Sequence, residues 1–324
     1  MKTFKTYFSN PLHPLSIWLK ISILALVSIA IEPQPTHPSW AVLMILIAAF
    51  ILVPIGFVAD VASIAEWRSI AKTPISDWRH DNALVWHLFS AISLAISFTI
   101  KQGFIAGLLA LPYLLWCTAI LLRGIKFQLN LPYLTQLAAW GFLTNAAVWL
   151  VFDRFNYQPL NFTAWIVLLT GAHFHYAGFA LTLSLALLLN ENPNNRLAGI
   201  ASLGVLSGVV LTATGITTTQ LGFSHQIETF VGVWMAFSAM LAGMVYILRG
   251  VKETGKVKIL WTLGGICLTL AMILAFLYAM RQFIVIDFLS IPNMQAIHGT
   301  LNALGFGTLM LTGWVFKRNT DLKS

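Results

Sequence analysis

Ten stretches of the chain are apolar over the length a helix needs to cross a bilayer, about 20 residues. They lie at 15–31, 39–59, 82–100, 103–122, 131–152, 161–186, 197–214, 226–248, 257–280 and 294–316. The segments between them carry loop punctuation: Glu32-Pro-Gln-Pro-Thr-His-Pro38, Asn190-Glu-Asn-Pro-Asn-Asn195 and Pro292-Asn293. Only a few residues part the third stretch from the fourth, so these two must form a tight helical hairpin. No soluble fold accommodates this pattern. Charged residues are 9% of the 324, where a soluble domain carries about 25%. The fold class that follows is all-α: a polytopic transmembrane bundle of about ten spans, one integral membrane domain over 1–324, without an internal repeat.

Two segments need separate treatment. The longest loop, 60–81, holds Asp60, Glu66, Arg68 and Lys72 and reads as a short interfacial helix. The N-terminus, with Lys2, Lys5 and an apolar run from Ile21 to Ile31, has some likeness to a signal peptide, and Ser28-Ile-Ala30 to its cleavage site. About 20 residues precede that run, long for such a leader, so it reads as a retained first span.

The net charge of +8 raises the question of nucleic acid, and its distribution answers it. With a cytoplasmic N-terminus and ten spans, 16 of the 19 Lys and Arg fall on the inside and only Lys101, Arg154 and Arg281 on the outside. That is the bias of a protein oriented by the positive-inside rule. A miscounted span would scramble it. The expectation is a bacterial cytoplasmic-membrane protein with both termini inside, whose partner is the lipid bilayer and not nucleic acid. Cys117 and Cys267 sit in apolar stretches without metal-knuckle spacing and read as small apolar side chains.

Sidedness then sets the depth of each histidine. His13 and His80 belong to cytoplasmic segments and His37 to the first outside loop, where water needs no special role for them. His87, a turn or so into the third span, either snorkels or bonds a neighbouring helix. The other four gather in the outer half. His173 and His175 fall near the middle of the sixth span, His225 opens the eighth, and His298 lies about a turn into the tenth. Glu228 and Asn302 follow His225 and His298 by three and four residues, on the same helix faces. Ionisable groups inside a span are costly and usually mark a site facing the bundle interior or a wet cavity. The alternative is that they only hold helices together by hydrogen bonds.

The stretch Thr170-Gly-Ala-His-Phe-His-Tyr-Ala-Gly-Phe179 is further constrained by the helical period. Residues two apart point about 200° away from each other. His173 and His175 therefore cannot share one centre unless the helix is broken there. One is expected to face the site and the other to bond a neighbour; His173 shares its face with Tyr176. Gly171 and Gly178 would allow close helix approach, a kink or a flat ligand. The hydroxyl-rich segment Gly215–Ser224 reads either as an outside loop or as a partly re-entrant segment lining the same cavity.

Three kinds of function could use this set. In a transporter, His173, His175, Tyr176, His225, Glu228, His298 and Asn302 would bind substrate or relay protons, since imidazole titrates near neutral pH. In a metal or haem protein, His173, His175, His225, Glu228 and His298 would supply ligands for zinc or non-haem iron, or His173 or His175 would pair with His298 on a haem. His225-x-x-Glu228 has the spacing of helical di-iron sites, but those need more carboxylates than are present here. In a structural or assembly protein, the same residues would only set helix register. Whether the chain is an enzyme stays open. It has no P-loop, no strand-linked G-x-G-x-x-G, no G-x-S-x-G and no H-E-x-x-H, which argues against an ATP-driven pump or a familiar membrane protease.

The motifs His173-Phe-His-Tyr-Ala-Gly-Phe179 and His298-Gly-Thr-Leu-Asn-Ala-Leu-Gly-Phe306, with Gly222-Phe-Ser-His-Gln-Ile-Glu228 between them, resemble the YndJ-like bacterial membrane proteins. The likeness lies mainly in the C-terminal half. It implies a multi-span bacterial membrane protein of a family sometimes labelled transporter-like, without naming a reaction. It also implies that His173, His175 and His298 are characteristic residues.

Overall fold

The computed structural model describes residues 14–63, 80–125 and 128–321. Among them it contains ten helices and no strand. They are α1 (Pro14–Ile31), α2 (Pro38–Ile47, Ala48–Leu52 and Val53–Ser63 in succession), α3 (His80–Phe98), α4 (Phe104–Gly124) and α5 (Leu131–Arg154). Next come α6 (Ala164–His173, Phe174–Ala180, Leu181–Glu191), α7 (Arg196–Gln220), α8 (His225–Gly250) and α9 (Gly255–Ala279). The tenth, α10, runs through Ile291–Met294, Gln295–Gly299, Leu301–Gly307 and Thr308–Asp321. Each helix falls on one of the ten apolar stretches. Seven are long and apolar enough to cross a membrane, α2 and α4 to α9, while α1 and α3 are shorter apolar helices. The chain is a polytopic helical bundle.

Local chemistry explains the boundaries. Asn130, Thr163, Asn195 and Ser224 cap the starts of α5 to α8, each side chain accepting a first-turn backbone N–H. Proline sits in the opening turns of α2, α5 and α10, where its missing N–H costs nothing. The α3–α4 hairpin is as tight as expected. It turns at Gly103, whose φ of +151° suits glycine and whose N–H bonds the Arg154 carbonyl at 2.8 Å.

One expectation is corrected. Gly215–Gln220 is neither loop nor re-entrant segment but a continuation of α7, and the turn is confined to Leu221–Ser224. The threonine hydroxyls are absorbed by the helix itself: Thr217 donates to the Ala213 carbonyl and Thr218 to that of Gly215, both at 2.8 Å. Residues 64–79, where an interfacial helix is expected, lie outside the described residues, as does His13.

Two helices form the centre. In α2 and α6, 78% and 83% of the apolar window is buried, against 33% to 44% in the five other long helices. Those five present Phe104, Leu134, Ile200, Phe230 and Ile259 outward, as lipid-facing helices do. Small residues bring neighbours close where α8 crosses α9. A Cβ on Gly265 would lie 2.7 Å from the Gly243 carbonyl oxygen and 3.0 Å from the Ile247 nitrogen. Backbone cannot retreat as a side chain can. Gly265→Leu should therefore cost about 1–3 kcal/mol and lower the melting temperature in detergent. Gly141→Leu, at a position with nothing near its Cβ, should leave that temperature unchanged.

Candidate functional site

Three helices depart from α geometry, and they do so where they meet. α2 widens to a π-turn at Ala48–Leu52, α6 at Phe174–Ala180, and α10 at Gln295–Gly299 and again at Leu301–Gly307. The α6 segment packs against those of α2 and α10. Such π-turns disturb the regular carbonyl ladder and are frequent at functional sites. Side chains add hydrogen bonds to carbonyls beside the bulges here. The Tyr176 hydroxyl donates to the Met44 carbonyl, the turn before the α2 bulge, at 2.7 Å, and His175 Nδ1 donates to the Gly171 carbonyl at 2.7 Å.

These bonds separate the two histidines of the sixth helix. His175 is fully buried, and with Nδ1 donating, its Nε2 accepts from the Tyr113 hydroxyl of α4 at 2.9 Å. Both of its nitrogens are therefore committed to protein partners. His173 is exposed, and its ring has no hydrogen-bond partner among the described residues. His298 of α10 lies within its electrostatic reach. Gly171 and Gly178 serve close approach: a Cβ there would lie 2.7 Å from a Leu150 methyl and 2.8 Å from Phe142 Cβ, both on α5.

His298 is held from both sides. Nδ1 donates to the Ala271 carbonyl of α9 at 2.9 Å, while Asn302 Nδ2 donates to Nε2 and to the His298 carbonyl, each at 3.0 Å. Around it α10 is tied to its neighbours. Trp40 of α2 donates to Thr300 at 3.0 Å, and Trp165 of α6 to Gln295 at 2.9 Å. Gln295, buried, passes its own amide protons to the Pro35 and His37 carbonyls.

His225 and Glu228 lie elsewhere, at the meeting of α8 and α9. Glu228 takes Arg281 at 2.5 Å, and Arg281 stacks over Tyr278 at 4.3 Å. His225 is exposed, with Nδ1 4.0 Å from Glu228. The structure thus brings His173, His175, Tyr176, His298 and Asn302 into one region of α6 and α10, and it places His225 and Glu228 in a separate ion pair. Among the described residues no three His, Cys, Asp or Glu side chains are grouped as a metal's ligands would be. The five-residue metal set is not assembled. Glu228 on α8 is paired with Arg281, with His225 beside it, and the nitrogens of His175 and His298 are spent on protein partners.

Some contributors escape a reading of the sequence alone. Tyr113, whose only signal is a hydroxyl in an apolar stretch, orients His175. Asp60, assigned to a loop, is a buried carboxylate at the end of α2 that accepts from Gln136 at 2.6 Å and from Trp140 at 2.9 Å. His87 is buried edge-on to Trp116 with ring centroids 4.4 Å apart, and its Nε2 has no hydrogen-bond partner among the described residues. Thr214, Thr217 and Thr218 line an open groove of about 610 Å³ with Asn145 of α5 and Phe174.

The family model of the YndJ-like proteins matches residues 43–306, a range that takes in every residue of the α6–α10 region just described. The chain belongs to the YndJ-like family. A relative is the "Uncharacterized membrane protein YndJ" of Bacillus subtilis (strain 168), 27% identical over 176 residues. That alignment covers 53% of the YndJ-like chain described here and 31% of the relative, so the chain spans about a third of the relative's length. No solved structure matches the chain. It is a membrane protein of this family.

The two histidines of α6 should respond differently to substitution. Tyr113→Phe strands the buried His175 Nε2 and should cost about 1–3 kcal/mol, the penalty of an unsatisfied buried group. His173→Ala removes no hydrogen bond and should leave stability within about 0.5 kcal/mol of the parent. Unfolding of the reconstituted protein in graded SDS would measure both.

Proposed function

We propose that the chain is a transport-type protein of the bacterial cytoplasmic membrane, with both termini cytoplasmic, in which His173 and His298 take up and pass protons, alone or with a small solute. One observation carries this reading: the π-turns of α2, α6 and α10 converge on a group of imidazole, phenol and carboxamide side chains. Membrane transporters place binding sites where helices are interrupted, because irregular backbone is tolerated at depth only when it lines protein or a cavity. The roles divide accordingly. His173 is the exchanging group, because no bond must break for it to gain a proton. His298 is its neighbour, held as a neutral tautomer by the Ala271 carbonyl and Asn302. His175 and Tyr176 are positioning residues that keep the widened turn of α6 in place. Glu228, paired to Arg281, and His225 beside it would act only at the entrance.

Coordination of a metal or haem is the weaker reading, because His175 and His298 would each have to surrender a hydrogen bond. A Soret band in the purified protein, lost in His298→Ala, would restore it.

Proteoliposomes loaded with the pH dye pyranine and energised by a potassium gradient with valinomycin test the proposal. Potential-driven proton entry should exceed that of protein-free vesicles by about tenfold, as expected of a relay through an imidazole. His173→Ala should abolish the excess, and His225→Ala should retain it. Equal rates in His173→Ala and the parent would sink the relay.

A further inference from the structure

A second site lies apart from these histidines, where α1, α3 and α5 end and α2 and α6 begin. A cavity of about 370 Å³ opens there, with the adjacent pair Asp153 and Arg154 in its wall. Both are buried, at 3% and 7% exposure. Arg154 Nε donates to Asp153 Oδ2 at 2.8 Å, Nη1 donates to the Ser97 carbonyl at 3.1 Å, and the guanidinium lies over the Phe98 ring at 4.5 Å. Asp153 Oδ1 accepts from Gln102 at 2.9 Å. These contacts fix the guanidinium but use only part of it. A guanidinium carries five N–H donors, and Nη2 has no acceptor among the described residues.

A buried arginine held rigidly on one edge and unsatisfied on the other is the arrangement that receives a carboxylate or phosphate through paired N–H···O bonds. The remaining wall says what the acceptor is attached to. Ala30, Ile31, Val42 and Leu168 continue the cavity as an apolar surface from the guanidinium toward the flank of α1. Ala30 is itself exposed, so the cavity is open along that helix. We infer that the cavity framed by Asp153 and Arg154 binds an anionic oxygen group, carboxylate or phosphate, borne by an amphiphile whose apolar part lies along α1 and α2. The acidic headgroup of a membrane phospholipid has this chemistry, and so does a free anion without the tail. The inference does not depend on the proton relay.

The test uses the full chain, purified in detergent and stripped of lipid, titrated separately with dioleoylphosphatidylglycerol and with sodium phosphate. Native mass spectrometry counts retained adducts, and thermal shift gives the affinity. Phosphatidylglycerol should bind, and Arg154→Gln should weaken it by about tenfold or more through loss of the charged donors. Ala30→Trp, which narrows the cavity without touching any bond of Arg154, should weaken it comparably and decides the matter if Arg154→Gln does not fold. If inorganic phosphate binds as tightly and with the same dependence on both variants, the anion is bound free and the Arg154 site stands. Absence of binding by either probe, or binding unchanged in Ala30→Trp, overturns the inference.

Discussion

Everything in this bundle depends on the requirement that backbone N–H and C=O groups be satisfied within the protein, because hydrocarbon offers them nothing. Seven regular helices meet it by their own ladders. α2, α6 and α10 each widen to a π-turn, and side chains add bonds to carbonyls in and beside them: Tyr176 on the Met44 carbonyl, His175 on that of Gly171, and His298 on that of Ala271 in the neighbouring α9. Polar residues are therefore concentrated where the backbone is irregular. Two of these three carbonyls belong to a different helix from the donor, so the same bonds that satisfy the backbone also set how α2, α6, α9 and α10 sit together.

Burial follows from this arrangement. α2 and α6 are enclosed because they carry the irregular backbone, and the helices around them expose aliphatic side chains as lipid requires. A bilayer rewards an apolar outer surface as much as a protein core does, so sequence hydropathy alone does not distinguish the enclosed helices from the peripheral ones. The distinction lies in side-chain size and polarity at particular positions, such as Gly56 and Gly307, where a Cβ would lie within 3.3 Å of side chains on two neighbouring helices.

All ten helices were legible in the sequence, because twenty apolar residues between proline- and asparagine-rich breaks admit little else. The end of α7 was misjudged for a physical reason. Threonine-rich, glycine-flanked segments favour turns in water, but where water is scarce a hydroxyl can bond the preceding helical carbonyl, as Thr217 and Thr218 do. The rule that His173 and His175 must do different things was legible too. Which did which was not, because it turns on Tyr113, sixty-two residues away in sequence. For Glu228 the sequence offers no way to see that Arg281, across the α8–α9 pair, would claim it. Charge partners from distant loops are invisible to spacing.

The closure of α10 against α2 bears on how the protein is made. A ribosome delivers α2 and α6 to the membrane well before α10 exists, so until then Trp40 and Gln295's acceptors at Pro35 and His37 lack their final neighbours. Assembly of the N-terminal helices is thus provisional during synthesis. The interior is sealed only when α10 slots between α2, α6 and α9, which makes late truncation more damaging to the centre of the molecule than to its lipid-facing edge.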